Sequence, residues 1–289
     1  MSTSWIQRFL LEDLDIRGAL VQLDDVWQAL QENRDYPPSV RDLLGAMSAV
    51  ASVIGGNLKQ AGRLTIQLQG HGPVSLLVVD VNEALNLRGY AKSSADALGK
   101  SGIEALIGDG QLLLSLDVPG MRHPYQSYVP IEGSTVAAIF EHYLTQSEQQ
   151  PAALHTASSA RRSACLFLQK LPDADKKDGD GWDRITRLAA TVRPEELTDL
   201  PAEEILTRLF HQETVRLLDR REVTHDWPMN WDKVRDMLRT LDKAELEALL
   251  AEHGEILIHD DLSNHEYRFT AAEVASLFAE NPPENRTLH

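Results

Sequence analysis

The sequence is poor in cysteine and in positive charge. Cys165 is the only cysteine among 289 residues, so the chain can form neither an intramolecular disulfide nor a thiolate metal cluster. Lys and Arg number 28 against 44 Asp and Glu, which gives a formal charge of −16. Nucleic acids and anionic membranes attract basic surfaces, so both are disfavoured as partners.

The sequence also lacks targeting and membrane-spanning segments. Its N-terminus has no basic segment followed by an apolar core, which argues against a secretory signal and predicts a cytoplasmic protein. The longest nearly uncharged apolar segment, residues 43–58, is shorter than the roughly 20 residues of a membrane-spanning helix. We therefore expect residues 43–58 to lie in a buried helix.

What is present is an ordinary globular composition, with 43% hydrophobic and 25% charged residues, and a length typical of about two domains. The polar, glycine-containing segment 173–181 predicts a domain boundary. This segment resembles a calcium loop only superficially, because Lys177 and Arg184 occupy ligand positions. A solvated linker is the better interpretation.

The hydrophobic pattern predicts strands and helices before the boundary and mostly helices after it. Predicted strands are residues 19–23, 64–69, 74–79, 112–116, 125–129 and 165–169, and predicted helices are 39–58 and 134–147. After the boundary, predicted helices are 182–191, 201–210, 231–238, 243–251 and 271–279, with a hairpin of 256–258 and 267–269.

Isolated reactive residues do not form an active site. The glycines at 70–72 and 108–110 fit turns better than phosphate loops, since no helix follows them. Cys165 lies in an apolar strand and is interpreted as a buried structural residue. His259 and His265, with the acids beside them, fit a polar turn better than a metal site. We predict that the protein is not an enzyme and needs no cofactor.

Eight segments, in order along nearly the whole chain, carry a family resemblance. They are IRGAL at residues 16–20, DYPPSV at 35–40, LTIQLQGHGP at 64–73, LRGYA at 87–91, LIGDG at 106–110, YVPIEG at 128–133, YLTQSEQ at 143–149 and LPAEEIL at 200–206. Their order and spacing resemble the bacterial heat shock protein 33 family of redox-regulated holdase chaperones.

The resemblance implies an α+β protein in three parts. These would be an N-terminal substrate-binding domain of mixed sheet and helix at 1–172, a helical linker at 173–223 and a small α+β switch domain at 224–289. In the family, four cysteines of the switch domain bind zinc, and their oxidation releases the metal, unfolds the linker and exposes apolar surface to unfolding clients. Activated members dimerise, so the resemblance also implies a homodimer.

This chain departs from the family at the switch itself. Spacing places two pairs, Trp227 with Met229 and Asp260 with Ser263, at the four cysteine positions. A structural zinc site takes four nitrogen or sulfur ligands of the Cys and His type, so the site is lost while the surrounding sequence is kept. Because zinc contributes folding free energy, we hypothesise that an apolar cluster of Trp227, Met229 and Trp231 replaces it.

The resemblance therefore predicts an ATP-independent holdase that binds unfolding clients without a disulfide switch. We expect four apolar residues of the linker helix to cover client-binding surface until the linker loosens: Ile205, Leu206, Leu209 and Phe210. The alternative, a permanent core helix, has equal weight. Binding would be constitutive or triggered by heat, acid or oxidation of Met229, the first two being favoured. An alternative function is a regulatory scaffold that binds one folded partner.

Overall fold

The computed structural model describes residues 3–58 and 61–279. The chain divides into two compact units, the first ending at Asp226 and the second beginning at Trp227. No helix among the described residues is long and apolar enough to cross a membrane. Each unit has an apolar core of its own.

The first unit contains a five-stranded antiparallel sheet, the first sheet, with strand order β10-β1-β2-β9-β8. Its strands are β1 (Trp5–Leu11), β2 (Ile16–Leu23), β8 (Ala152–Ser158), β9 (Ser163–Lys170) and β10 (Val215–Glu222). The predicted strands at 19–23 and 165–169 are confirmed as parts of β2 and β9, which pair with each other. Strands β1, β8 and β10 were not predicted from the sequence.

The first unit also contains a second five-stranded antiparallel sheet, with strand order β5-β4-β3-β6-β7. Its strands are β3 (Arg63–Gly70), β4 (Val74–Asn82), β5 (Leu87–Ser93), β6 (Gly110–Asp117) and β7 (Tyr125–Val129). Strict alternation of apolar residues in β3 predicted a half-buried strand, and its hairpin with β4 is confirmed. The predicted pairing of β6 with β7 is confirmed as well.

Helix α2 (Pro38–Gly56) packs against strands of both sheets and forms the centre of the larger core. It begins with a proline, whose fixed φ suits a first helical turn. A Cβ on Gly55 would lie 2.8 Å from Val81, so the glycine lets the helix approach β4 closely. The buried helix predicted at residues 43–58 is thus confirmed.

Three further helices precede residue 173 in the first unit: α1 (Asp25–Gln31), α3 (Ile103–Ile107) and α4 (Val136–Glu148). The predicted helix at 134–147 is α4. Its N-cap is Thr135, whose hydroxyl oxygen accepts a hydrogen bond from the Ala138 amide at 3.1 Å.

The segment predicted as a linker lies within the first unit. Its helices are α5 (Ala174–Lys177), α6 (Gly181–Ala189), α7 (Pro194–Asp199) and α8 (Ala202–Phe210). The predicted helices at 182–191 and 201–210 are confirmed, whereas α7 was missed and the segment ends in a strand, β10. Apolar side chains of these helices form a second core with the first sheet.

The second unit consists of α9 (Trp231–Arg239), α10 (Lys243–His253), β11 (Ile256–Asp260), β12 (His265–Phe269) and α11 (Ala271–Ala279). The predicted helix pair, hairpin and closing helix are all present. Seven buried residues form its core, and they come from each of the three helices and from both strands.

Candidate functional site

One face of the first sheet is apolar and lies under the linker helices; we call it the covered face. Side chains of strands β1, β2 and β9 form it, namely Phe9, Leu11, Ile16, Leu20, Leu166 and Leu168. Positions 16 and 20 of β2, and 166 and 168 of β9, follow the two-residue period of a strand, which brings them to one side. All six side chains are buried, so the linker helices keep this face from solvent.

Helix α8 supplies the apolar side chains predicted from the sequence. They are Ile205, Leu206, Leu209 and Phe210, all buried in the same cluster as the covered face. Their i, i+1, i+4, i+5 spacing puts them on one side of a helix. The Phe210 ring lies 6.3 Å from the Phe9 ring, centroid to centroid. Helix α8 therefore packs on the first sheet in the folded chain.

Gly18 explains how the covered face accommodates an aromatic ring. It lies opposite Phe9 in the β1–β2 pair, and a Cβ at this position would collide with the Phe9 ring. The glycine therefore lets the ring lie flat over the sheet backbone, where Phe210 packs against it. This is the physical reason for a glycine within the IRGAL segment.

The four positions that the resemblance assigns to zinc-binding cysteines do not fit zinc. Met229 is 39% exposed, and Trp227 is half-buried. The Asp260 carboxylate accepts hydrogen bonds from the amides of Leu262 at 3.1 Å and Ser263 at 3.4 Å, which closes a tight turn between β11 and β12. Neither thiolate nor imidazole occupies any of the four positions.

His259 and His265 belong to the same hairpin but do not assemble a metal site. His259 contacts the carboxylate of Asp261 at 3.0 Å and the side-chain oxygen of Asn264 at 3.2 Å. The His265 ring lies 6.5 Å from the Tyr267 ring, edge to face. Among residues 3–58 and 61–279, no group of three or more His, Cys, Asp or Glu side chains is arranged to hold a metal ion.

An aromatic cluster packs in the second unit, as predicted for Trp231. The centroid of its ring lies 5.0 Å from that of Tyr267 and 5.7 Å from that of Phe269, and both pairs are edge to face. The Tyr267 hydroxyl accepts a hydrogen bond from the Asn230 amide at 2.8 Å, which fixes the start of α9 beside the cluster. The prediction was wrong for Met229, whose side chain is exposed.

Cys165 is fully buried in β9, as predicted for a structural cysteine. Burial, reinforced by the nearby Glu141 carboxylate, raises the pKa of its thiol far above the ordinary range. A protonated thiol without access to solvent is a poor nucleophile and a poor target for oxidants.

The paired glycine segments form turns, as predicted. The His71 amide donates to the carbonyl of Asp109 at 3.1 Å, and the Gly72 amide donates to that of Ile107 at 2.7 Å, so the two turns pack together. Gly108 has a φ of 64°, which favours glycine.

Comparison with known proteins identifies the family. A family model described as Hsp33 protein matches residues 4–270. The chain belongs to the Hsp33 family. Among Hsp33 relatives, the 33 kDa chaperonin of Shewanella denitrificans is 36% identical over 287 residues and 99% of each chain. That of Shewanella baltica is 37% identical over 279 residues, 96% of this chain and 97% of the relative.

A solved structure agrees with the fold. The 33 kDa chaperonin (heat shock protein 33 homolog) of Thermotoga maritima aligns with 96% of this chain and 98% of its own, with a TM-score of 0.79 and 20% identity. The predicted Hsp33 resemblance and the α+β class are thereby confirmed. Family membership and the names of the relatives support a chaperone function.

Proposed function

We propose that this chain is an ATP-independent holdase that binds unfolding proteins on the covered face and is not switched by disulfides or zinc. The observation that carries the proposal is the amphipathic helix α8, whose four apolar side chains lie on a continuous apolar sheet face. An unfolding client exposes side chains of the same chemistry, so it competes for the same surface through the hydrophobic effect.

The mechanism needs no catalytic residue. When α8 lifts, the covered face becomes available to apolar segments of a client. The formal charge of −16 on the chain opposes association between loaded complexes and favours their solubility. Residues 1–172 would bind the client, and residues 173–223 would control access to the client-binding surface. Residues 224–289 would form a switch-like domain that has lost its metal. The protein would act in the cytoplasm, as a homodimer when active.

Regulation by thiol oxidation is disfavoured by two observations. Cys165 is buried, and Trp227, Met229, Asp260 and Ser263 stand at the four family cysteine positions. Binding that is constitutive, or that is triggered by heat, is then favoured. In both cases the aromatic contacts of Trp231 would stabilise the second unit without a thiol or a metal.

The test is suppression of light scattering by a heat-unfolding client, with the full-length protein untreated, treated with peroxide or treated with reductant. We expect equal protection in all three conditions, and the same from Cys165→Ala. Protection that requires peroxide and is reversed by thiols would contradict the proposal. Absence of protection, together with capture of one folded partner at fixed stoichiometry, would favour a scaffold instead. Metal analysis of the untreated protein gives an independent check, since stoichiometric zinc would contradict a metal-free switch region.

A further inference from the structure

Helix α7, just before α8, ends against two polar side chains of the first sheet and its flanking loop. The last carbonyls of a helix have no partner within the helix and need one elsewhere. Nε2 of Gln22 donates to the carbonyls of both Leu197 and Leu200, at 2.7 Å each. Nη1 of Arg162 donates to the carbonyl of Thr198 at 3.0 Å.

One of these donors is buried in the first sheet, and the other is oriented by a buried carboxylate. Gln22 is 6% exposed and extends from β2 on the side of the covered face. The Arg162 guanidinium is oriented by Asp24, whose carboxylate lies 2.8 Å from Nε. Asp24 is itself buried and also accepts a hydrogen bond from the Gln28 amide at 2.5 Å. We call Gln22, Asp24 and Arg162 the polar clamp.

The other end of α8 is also anchored to the first sheet. Strand β10 begins at Val215 and pairs with β1 from that residue onwards. A second buried glutamine, Gln7, donates from Nε2 to the carbonyl of Leu218 at 2.9 Å. Thus α8 lies between two segments held by hydrogen bonds, whereas its own contact with the sheet is the apolar packing of one face.

We propose that the polar clamp sets how readily α8 lifts from the covered face. Opening exchanges these hydrogen bonds for bonds to water, so each one contributes its net value to the closed state. Removing a donor by mutation instead leaves a carbonyl of the docked segment buried without a partner, which weakens the closed state further. The clamp therefore opposes opening at the N-terminal end of α8, while β10 retains the other end. The link to client binding rests on the function proposed above; the link to opening does not.

Amide hydrogen exchange of the full-length protein at a fixed temperature tests the clamp directly, because exchange reports local opening. In Gln22→Met the side chain keeps its length but loses its donor. We expect exchange in 194–210 to become about 5- to 150-fold faster, the range for one to a few lost hydrogen-bond partners, and exchange in 64–81 to stay unchanged. The matched control is Gln169→Met, a buried glutamine of β9 that accepts from Arg17 within the first sheet.

The proposal is overturned if amide exchange in 194–210 is equally fast in Gln22→Met and Gln169→Met, whether it is accelerated in both variants or in neither. If Gln22→Met unfolds the whole unit, Arg162→Lys decides the matter. It keeps the charge beside Asp24 but replaces the planar guanidinium that contacts both Asp24 and Thr198 with a single shorter-reaching ammonium group. Unchanged exchange in this variant overturns the proposal. Client protection is measured on the same variants. Faster exchange with stronger protection supports both proposals, whereas faster exchange without stronger protection supports the clamp and contradicts client binding on the covered face.

Discussion

Replacing Phe210 by alanine tests whether α8 covers a client-binding surface. Phe210 is 1% exposed, and its ring packs 6.3 Å from that of Phe9. Truncating a buried phenylalanine costs about 3–5 kcal/mol. If the substitution lowers the free energy of docking of α8 by this amount, the population with α8 lifted rises roughly 100- to 4,000-fold, at about 1.4 kcal/mol per tenfold change. Client affinity rises with that population until the open form predominates.

The assay dilutes a guanidinium-unfolded client into chaperone at a temperature where the chaperone is folded, and follows light scattering. We expect the Phe210→Ala concentration that halves aggregation to fall at least tenfold below that of the unchanged protein. The matched control is Phe140→Ala, which removes an equally buried ring from the other core, at 0% exposure. Equal protection by the two variants would refute the reasoning, because it would trace the effect to general destabilisation and not to the covered face.

Three further predictions concern stability, each measured by urea unfolding followed by circular dichroism. Gly18→Ala should lose about 1–3 kcal/mol because its Cβ displaces the Phe9 ring, whereas Gly179→Ala, whose Cβ meets no atom within 4 Å, should change stability by less than about 0.5 kcal/mol. Trp231→Ala should destabilise the second unit by about 2–3 kcal/mol, and chelators should leave its unfolding unchanged. Burial lowers the pKa of His155, so the unfolded chain binds more protons than the folded chain, and the free energy of unfolding should fall as the pH drops below about 6.5. In His155→Gln this fall with pH should disappear. A pH profile of stability that is the same in the variant as in the unchanged protein would contradict the assignment.

Local hydrophobic patterns in the sequence were sufficient to predict elements that have one buried face. The alternation in β3 and the helical spacing in α8 each follow from the geometry of a half-buried element. They failed for β1, which is mostly buried on both faces and therefore shows no alternation, and for β10, an edge strand rich in exposed charge. These two strands pair across some 200 residues of sequence, a partnership that no local window contains.

The proposed client-binding surface was predictable only in its apolar half. The residues of α8 mark one side of a helix, so they could be singled out in advance. Gln22 and Arg162 resemble any polar surface residue in sequence, and their role emerges only where α7 ends beside them. Met229 was misjudged because it lies next to aromatic residues in sequence, whereas α9 begins only at Trp231, after the Asn230 cap.

The two anchors of α8 have a consequence for how a bound client leaves. A segment tied at both ends stays close to its docking site, at an effective concentration on the order of millimolar for short flexible tethers. If clients bind the covered face as proposed, each client would therefore compete with an intramolecular segment that stays beside the site. A client that refolds withdraws its apolar residues and loses that competition, so release would follow from mass action alone, without nucleotide hydrolysis.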